Sequence, residues 1–383
     1  MTLAEALAAA RRRLRAAAIE DADLEAEVLL RHALGFGSDR AALFRRLDEA
    51  ADPAALASFE AFVARRLAHE PSAYITGRRE FYGREFEVGP AVLIPRPETE
   101  TLVEVAIEIA SSSAAPLSHP SEGSHEPQAH PERFQSSEGS HEPQAHPERF
   151  QSILDVGTGS GCIAVSLALA LPAARVYASD SSAAALAVAR RNAARHGVAE
   201  RIAFIEADLL ALDALDLDAL GLNAAPLSHP SEGSRESRAN PERFHPSEGS
   251  REPRANPERF HPSEGSREPQ ANPERFQSVG LIVANLPYVK TSDWLALPPE
   301  LRDHEPRAAL DGGPDGLAPI RRLLAAAAAH LHPGGALCIE FGDGQAEAVI
   351  ALARGAFANA SISARSDLAG RPRVLVVAGL HGT

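Results

Sequence analysis

A glycine-rich loop between a strand-like run and a helix-like run is the feature that most constrains how this chain can fold. Ile153, Leu154 and Val156 form a β-prone apolar run that Asp155 interrupts, Gly157, Gly159 and Gly161 follow, and an apolar helix-like run begins at once. A strand that turns through glycines into a helix is the opening unit of a doubly wound α/β sheet, in which the helix N-terminus faces a ligand. The loop therefore predicts a cofactor at the carboxyl ends of the strands.

Strand-like and helix-like runs alternate after this loop, which indicates a Rossmann-like α/β fold with a parallel sheet. The predicted strands are residues 153–156, 176–178, 202–205, 281–284, 336–341 and 374–378. The predicted helices between them are residues 161–171, 182–196 and 317–331.

The first hundred residues follow a different pattern, which is typical of helices and one hairpin. Apolar residues between positions 3 and 14 fall on one helical face, and Asp52-Pro53 is a typical helix start. Residues 81–88 alternate around Gly83, as a hairpin does, and Thr99 or a neighbour begins a further helix.

Two repeat blocks interrupt this organisation. Ser-Glu-Gly-Ser recurs in steps of 16 within residues 114–152 and again within residues 224–278. The repeated units are rich in Pro, Gly, Ser and Glu and each offers one Phe, so they cannot offset the entropy of ordering and are predicted to be flexible loops. The predicted domains are an N-terminal helical domain over residues 1–73, a hairpin and connector over residues 74–110, and an α/β domain over residues 111–383 that contains both insertions.

Charge and composition exclude several classes of protein. The formal net charge of −14 disfavours charge-driven binding to nucleic acid or to an anionic membrane surface. No apolar run approaches the ~20 residues that a membrane span requires. Cys162 and Cys338 lie in apolar runs, and the histidines of the first block lack a ligand spacing, so no metal site is predicted. The first apolar stretch precedes Arg11, the wrong order for a secretory peptide, and a cytoplasmic location is expected.

Carboxylates at the ends of the next two predicted strands complete a candidate cofactor site. Asp180 is placed to accept hydrogen bonds from both hydroxyls of a ribose, and Asp208 is placed beside an adenine edge. Either aspartate alone has a simpler interpretation as a helix cap, but the ordered set favours a nucleoside. The Gly-x-Gly-x-Gly spacing is one residue tighter than the dinucleotide fingerprint, which disfavours a pyrophosphate. The predicted cofactor-binding residues are Gly157, Thr158, Gly159, Ser160, Gly161, Asp180, Asp208, Leu209 and Asn285.

The segment Asn285-Leu286-Pro287-Tyr288, at the end of the fourth predicted strand, has the chemistry of a clamp for a planar amine. An amide nitrogen is a poor nucleophile because its lone pair is delocalised. The Asn285 side-chain oxygen and the Leu286 carbonyl can accept both of its N–H bonds, which returns electron density to the nitrogen. Tyr288 can stack on the planar group, and Pro287 stiffens the turn. We interpret Asn285, Pro287 and Tyr288 as catalytic residues and all four as substrate-binding residues, although an ordinary Asn-x-Pro turn is the simpler alternative.

Together the two motifs predict methyl transfer from S-adenosylmethionine to a nitrogen. Further motifs extend the pattern. The most specific is Pro95-Arg96-Pro97-Glu98-Thr99-Glu100, and others lie within residues 75–83, 297–306, 311–316 and 367–370. With these motifs the chain resembles the release factor glutamine methyltransferases of the HemK/PrmC type. The resemblance implies a helical release-factor recognition domain, a Rossmann-like S-adenosylmethionine-dependent methyltransferase domain, and the glutamine of a Gly-Gly-Gln motif in class 1 peptide release factors as acceptor.

Two departures from that family, Leu286 and the two insertions, keep two alternatives open. The family's clamp is usually Asn-Pro-Pro-Tyr, whereas Leu286 occupies the second position here. The resulting Asn-Leu-Pro-Tyr is similar to the motif of rRNA adenine dimethyltransferases, so an RNA or DNA amino-methyltransferase is the enzymatic alternative. The non-enzymatic alternative is an impaired cofactor-binding remnant, which the insertions and Leu286 would explain.

Overall fold

The computed structural model describes residues 1–112, 150–209 and 278–379, and all of them belong to one compact unit of the chain. The N-terminal part is helical, and its elements are α1 (Leu3–Ala16), α2 (Ala22–Ala33), α3 (Arg40–Arg45), α4 (Pro53–Leu67) and α5 (Ser72–Thr76). A capping box between Thr2 and Glu5 begins α1, and the Asp52 carboxylate caps α4 with Pro53 in its first turn. The structure confirms the helix predicted over positions 3–14 and the helix start predicted at Asp52-Pro53.

A two-stranded hairpin follows the helices. Its strands are β1 (Arg78–Phe81) and β2 (Arg84–Glu87), which pair antiparallel. The turn residues Tyr82 and Gly83 both have positive φ, 51° and 69°, as a two-residue hairpin loop of the primed type requires. Phe81 and Phe86 are buried and meet edge to face, so the hairpin is anchored by its apolar face.

A seven-stranded sheet forms the second part of the described chain. Its strands are β3 (Ser152–Val156), β4 (Arg175–Asp180), β5 (Ile202–Glu206), β6 (Val279–Asn285), β7 (Leu331–Glu340), β8 (Ser361–Ser366) and β9 (Pro372–Ala378). They lie in the order β5-β4-β3-β6-β7-β9-β8, and the first five are parallel. Because the order reverses between β3 and β6, the crevice at their carboxyl ends is the expected place for a ligand.

Helices cover both faces of this sheet. They are α6 (Thr99–Ser111), α7 (Cys162–Ala170), α8 (Ala183–Arg195), α10 (Ala318–His330) and α11 (Ala346–Ala356), whereas the short α9 (Pro299–His304) contacts the N-terminal helices through Arg66 and His69. Alternate strand residues, such as Ile153 and Leu281, share a buried core with α6, α7 and α8. Helices α10 and α11 contact each other, and α11 also packs on β8 and β9. The predicted combination of a Rossmann-like sheet and an N-terminal helical part is therefore observed.

The far edge of the sheet differs from the fully parallel arrangement that the sequence predicts. Strand β9 runs antiparallel to β7, and β8, which the sequence analysis did not predict, pairs antiparallel with β9. The Asp367 carboxylate accepts the backbone N–H groups of Ala369 and Arg371 and so closes a short turn between the two strands. A connection this short can join only antiparallel strands, because a parallel pair requires a crossover of a dozen or more residues.

Most residues of the two repeat blocks lie outside the described ranges. The prediction that the blocks are flexible loops therefore concerns residues outside the described part of the chain. The last residues of the first block are described: the Gln151 carbonyl accepts the Arg175 N–H at 2.7 Å, and Ser152 begins β3. Ser278, at the end of the second block, contacts His332 and precedes β6. The domain boundaries proposed from sequence stay predictions. Among the described residues, no helix is both long and apolar enough to cross a lipid bilayer.

Candidate active site

A cavity of about 350 Å³ lies at the carboxyl ends of β3, β4, β5 and β6. The loops after these four strands line it, and residues of the connector segment before α6 line it as well. The predicted site residues on its wall are Gly157, Thr158, Gly159, Ser160, Asp180, Asp208, Leu209, Asn285, Leu286 and Pro287. The structure therefore brings together residues from four separate strand ends. Gly161 and Tyr288 are the predicted site residues that are not on this wall.

The glycine loop follows β3 with the backbone that its sequence requires. Gly157 and Gly159 have positive φ, 74° and 55°, and a Cβ on Gly159 would meet open space. Gly161 also has positive φ, but a Cβ there would lie 3.0 Å from the Ala189 Cβ. The third glycine thus permits the close packing of α7 on α8, while Gly159 leaves the backbone open to the cavity.

A buried carboxylate holds this loop in place. The Asp155 side chain is fully buried and accepts the Thr158 hydroxyl at 2.6 Å and the Ala164 N–H at 3.2 Å. Burial raises the pKa of Asp155 to about 7, although both hydrogen bonds work in the opposite direction. Asp155 therefore links the end of β3 to the first turn of α7 beneath the loop.

Asp180 connects the glycine loop to the end of β4. One of its carboxylate oxygens accepts the Gly159 N–H at 2.9 Å, and the other accepts the Ser182 N–H at 2.9 Å. A carboxylate has about four lone-pair sites, so each oxygen can still accept a further bond from a ligand hydroxyl. Asp180 is therefore a structural support of the loop as well as the predicted acceptor for a diol.

Asp208 lies on the cavity wall after β5 and forms an ion pair with Arg322 of α10 at 2.9 Å. Both side chains are more than half exposed, so this ion pair contributes little to stability. Leu209, which follows, has a φ of 31° and supplies apolar surface to the same wall. The sequence predicts the adenine edge at Asp208, and it predicts Leu209 as a further cofactor-binding residue.

Asn285, the last residue of β6, is fixed by a neighbour that the sequence analysis did not place in the site. Its Nδ2 donates to the Thr99 Oγ1 at 2.9 Å, and Thr99 is a buried residue in the first turn of α6. This bond uses the donor end of the Asn285 amide. The acceptor end, Oδ1, is therefore the end available to an incoming N–H group.

Leu286 and Tyr288 have different surroundings. Leu286 is buried, and a Cβ on Gly157 would lie 3.3 Å from its Cδ2, so its side chain packs beneath the glycine loop. The Tyr288 carbonyl accepts the Gln345 Nε2 at 2.9 Å. Burial raises the pKa of Tyr288 to about 12, so its hydroxyl stays protonated at neutral pH.

Glu340 is a second residue that sequence reasoning missed. It ends β7 directly opposite Asn285 in the parallel register, and it is completely buried. Burial raises the pKa of Glu340 to about 7, while the nearby hydroxyls of Thr99 and Tyr288 and the charge of Arg373 lower it. An acidic residue at the end of an apolar strand was the available signal, because Asp180 likewise is the last residue of its strand.

Two glycines of the segment 311–316 hold the clamp's backbone. A Cβ on Gly312 would lie 2.7 Å from the Pro287 and Gly316 carbonyl oxygens and 2.8 Å from the Tyr288 Cα. The Gly312 N–H also donates to the Val289 carbonyl at 2.7 Å. The clamp backbone is therefore in direct contact with a segment that only glycine permits.

Gly312→Ala is expected to reduce turnover by about tenfold to 10²-fold, because a displacement of the clamp by a fraction of an ångström misplaces the reacting nitrogen. Steady-state kinetics at saturating methyl donor is the measurement. Gly89→Ala is the matched control, since a Cβ at Gly89 meets nothing within 4 Å. Equal turnover in both variants would show that the clamp tolerates the shift.

The cavity suits a nucleoside-type methyl donor. It combines an open glycine backbone, the Asp180 carboxylate and apolar surface from Leu93, Ile163 and Leu209, and its volume lies in the range of small-molecule sites. Among the described residues, no cluster of His, Cys, Asp and Glu is arranged to hold a metal ion.

Comparisons with known proteins agree with this geometry. The PrmC N-terminal domain family matches residues 5–77, and a methyltransferase domain family matches residues 153–237. The release factor glutamine methyltransferase of Moorella thermoacetica is 37% identical over 373 residues, which cover 97% of each chain. The protein of the same name from Cereibacter sphaeroides is 35% identical over 98% of each chain. A third, from Geobacter sulfurreducens, is 35% identical over 87% of this chain and 82% of its own.

Proposed function

This chain belongs to the release factor glutamine methyltransferases, and from that premise we propose that it methylates the side-chain amide nitrogen of the glutamine in the Gly-Gly-Gln motif of class 1 peptide chain release factors. The methyl donor is S-adenosylmethionine. The observation that supports this acceptor most directly is the Asn285 amide, whose donor end is bound by Thr99 and whose acceptor end is left for an N–H group.

Each part of the cavity has a task in this reaction. When bound, S-adenosylmethionine supplies an electrophilic methyl group. Asp180 would hold the ribose hydroxyls, and the Asp208 and Leu209 wall would receive the adenine. Asn285 Oδ1 and the Leu286 carbonyl would accept the two N–H bonds of the glutamine amide, so that its lone pair is directed at the methyl group.

We assign release-factor recognition to the helical domain over residues 1–73. The buried Arg66 of α4 pairs with Glu25 of α2 at 2.9 Å and with Glu300 of α9 at 3.1 Å. Because α9 belongs to the segment that follows the clamp, this ion-pair network supports a physical connection between the recognition domain and the catalytic site. The proposed acceptor is a component of translation, so the proposed reaction takes place in the cytoplasm. The net charge of −14 disfavours stable binding to nucleic acid or to an anionic membrane surface.

The test is incorporation of labelled methyl groups into candidate acceptors. Purified enzyme and tritiated donor are incubated with a class 1 release factor, with the same factor carrying Gln→Ala in its Gly-Gly-Gln motif, and with rRNA. Label on the unaltered factor alone is the expected result. Label on rRNA but not on the factor would favour the nucleic-acid alternative, and no label on either would favour a cofactor-binding remnant.

Leu286→Pro, which creates the clamp more usual in the family, is expected to keep or raise turnover. The backbone carbonyl that accepts the substrate N–H remains, and the turn becomes stiffer by an entropy worth about 0.4–1 kcal/mol, so the gain is at most about fivefold. Leu286→Gly is the matched opposite, because it keeps the carbonyl and loosens the turn. Turnover that falls in the Pro variant would show that the Leu286 contact with Gly157 matters more than the stiffness of the turn.

A further inference from the structure

Asn285 can act on a glutamine amide only if its own amide keeps one orientation. Rotation by 180° about the last side-chain bond would exchange Oδ1 and Nδ2 and present a donor where an acceptor is required. In the structure Nδ2 donates to the Thr99 Oγ1 at 2.9 Å, which fixes the orientation provided that Thr99 is an acceptor. The hydroxyl has only one proton, and where that proton points decides whether Thr99 can play this part.

Glu340 is the group that determines the direction of the Thr99 proton. It is fully buried, it lies opposite Asn285 in the register of β6 and β7, and Thr99 lies beside its carboxylate. Neither carboxylate oxygen has a hydrogen bond of strict geometry among the described residues. A buried carboxylate without partners requires an explanation, and two hydroxyls next to it, those of Thr99 and Tyr288, are the available donors.

We propose that Thr99 and Glu340 are positioning residues for the clamp: ionised Glu340 attracts the Thr99 hydroxyl proton, Thr99 Oγ1 accepts from Asn285 Nδ2, and Asn285 Oδ1 stays directed at the acceptor amide. The same carboxylate attracts the Tyr288 hydroxyl and so steadies the ring at the other end of the clamp. The inference rests on the proposed function in that the acceptor is taken to be an amide. Neither residue is required to touch the substrate.

Protonation of Glu340 would reverse the polarity of this chain of groups. A neutral carboxyl can donate to Thr99 Oγ1, and the Thr99 proton is then free to point at Asn285 and favour the rotated amide. Burial places this titration near pH 7. The charged and titratable groups that face Glu340 are Glu98 at the start of α6, Tyr288 after β6, Arg373 of β9 and Cys162 at the start of α7.

The kinetic test uses Thr99→Val, Thr99→Ser and Glu340→Gln, assayed at saturating donor from pH 6 to pH 9. Thr99→Val, which keeps the shape of the side chain and removes the hydroxyl, is expected to lower kcat about tenfold without changing the KM for the release factor. Thr99→Ser should restore most of the loss. The same substitution two residues away, Thr101→Val, should change nothing. Wild-type kcat in Thr99→Val would overturn the proposal.

The pH profile separates positioning from a merely structural role. Wild-type kcat is expected to fall as the pH drops through about 7, and Glu340→Gln should remove this limb. Asp155 titrates in the same range, but it acts through the cofactor loop, so saturating donor and a parallel measurement of donor Kd keep the two apart. Because the ionised carboxylate opposes folding above about pH 7, the neutral Gln variant is expected to fold. An unchanged limb in Glu340→Gln would overturn the proposal.

A spectroscopic measurement tests the inference without any methyl transfer. The ¹⁵N-labelled side-chain amide of Asn285, assigned with Asn285→Ala, is followed by NMR from pH 6 to pH 9. Its signals should shift with an apparent pKa near 7 in the wild type and stay constant in Glu340→Gln. Signals that do not titrate in the wild type would overturn the inference even if the enzyme methylates release factors. Signals that titrate as expected would support it even if a different amide proves to be the acceptor.

Discussion

Asn285→Ala is expected to lower turnover on the release factor by on the order of 10²–10³-fold and to leave donor affinity nearly unchanged. The Asn285 oxygen meets the substrate N–H while positive charge builds on the nitrogen, so its interaction is strongest in the transition state. Asn285 also lies on the cavity wall, and its side-chain amide is fixed there by a hydrogen bond to Thr99. Single-turnover kinetics and calorimetry with the donor are the two measurements.

Asn285→Gln distinguishes chemistry from position in this experiment. It keeps the amide but moves it outward by one methylene, so the bond to Thr99 and the alignment with the substrate are lost together. We expect it to be nearly as slow as Asn285→Ala. If Asn285→Ala turns over at the wild-type rate, the assignment of the clamp fails, and with it the proposal that the acceptor is a planar amide.

The parts of the site that could be predicted from sequence are those in which function follows from local order along the chain. A glycine loop, then Asp180, then Asp208, each at the end of a strand, meet at one edge as soon as the strands are parallel neighbours. Asn285 joins them for the same reason, because β6 pairs in parallel with β3 on the side of β3 that faces away from β4. Parallel alignment alone thus brings four distant segments together.

The parts that could not be predicted depend on which elements pack together. Thr99 meets Asn285 across 186 positions in sequence, and only the docking of α6 against β6 and β7 makes that contact. The sequence shows Glu340 only as an acidic residue at the end of an apolar strand. That it lies beside Asn285 follows from the pairing of β6 with β7, which the sequence does not reveal. Sequence motifs identified the segments that contain Thr99 and Gly312, but not what their side chains and backbones touch.

The antiparallel edge of the sheet was missed for a related reason. Alternating strands and helices predict parallel pairing, and residues 361–366 have a polar alternating pattern that was not assigned to a strand. The Asp367 turn then makes a hairpin that places β9 between β7 and β8. This edge also delivers Arg373 to the surroundings of Glu340, so the topology at the edge bears on the charge beneath the clamp.

Asp180→Ala is expected to weaken donor binding by at least tenfold, and by up to on the order of 10³-fold, since charge-assisted hydrogen bonds contribute roughly 1.5–3 kcal/mol each. Two effects combine. The ribose loses its acceptor, and the Gly159 and Ser182 N–H groups lose the carboxylate that now holds the glycine loop against β4. Calorimetry with the donor is the measurement, and Asp48→Ala, an exposed carboxylate of the N-terminal part, is the matched control.

A 2′-deoxy analogue of the donor separates these two effects. If Asp180 binds the ribose, the wild type binds the analogue more weakly than it binds the natural donor. The Asp180→Ala variant then binds both compounds with similar affinity, because the missing hydroxyl and the missing carboxylate belong to the same interaction. If Asp180 acts only through the loop, the two losses add. Unchanged donor affinity together with a lower Tm would remove Asp180 from the binding site and leave it as a support of the loop, which the two backbone hydrogen bonds already establish.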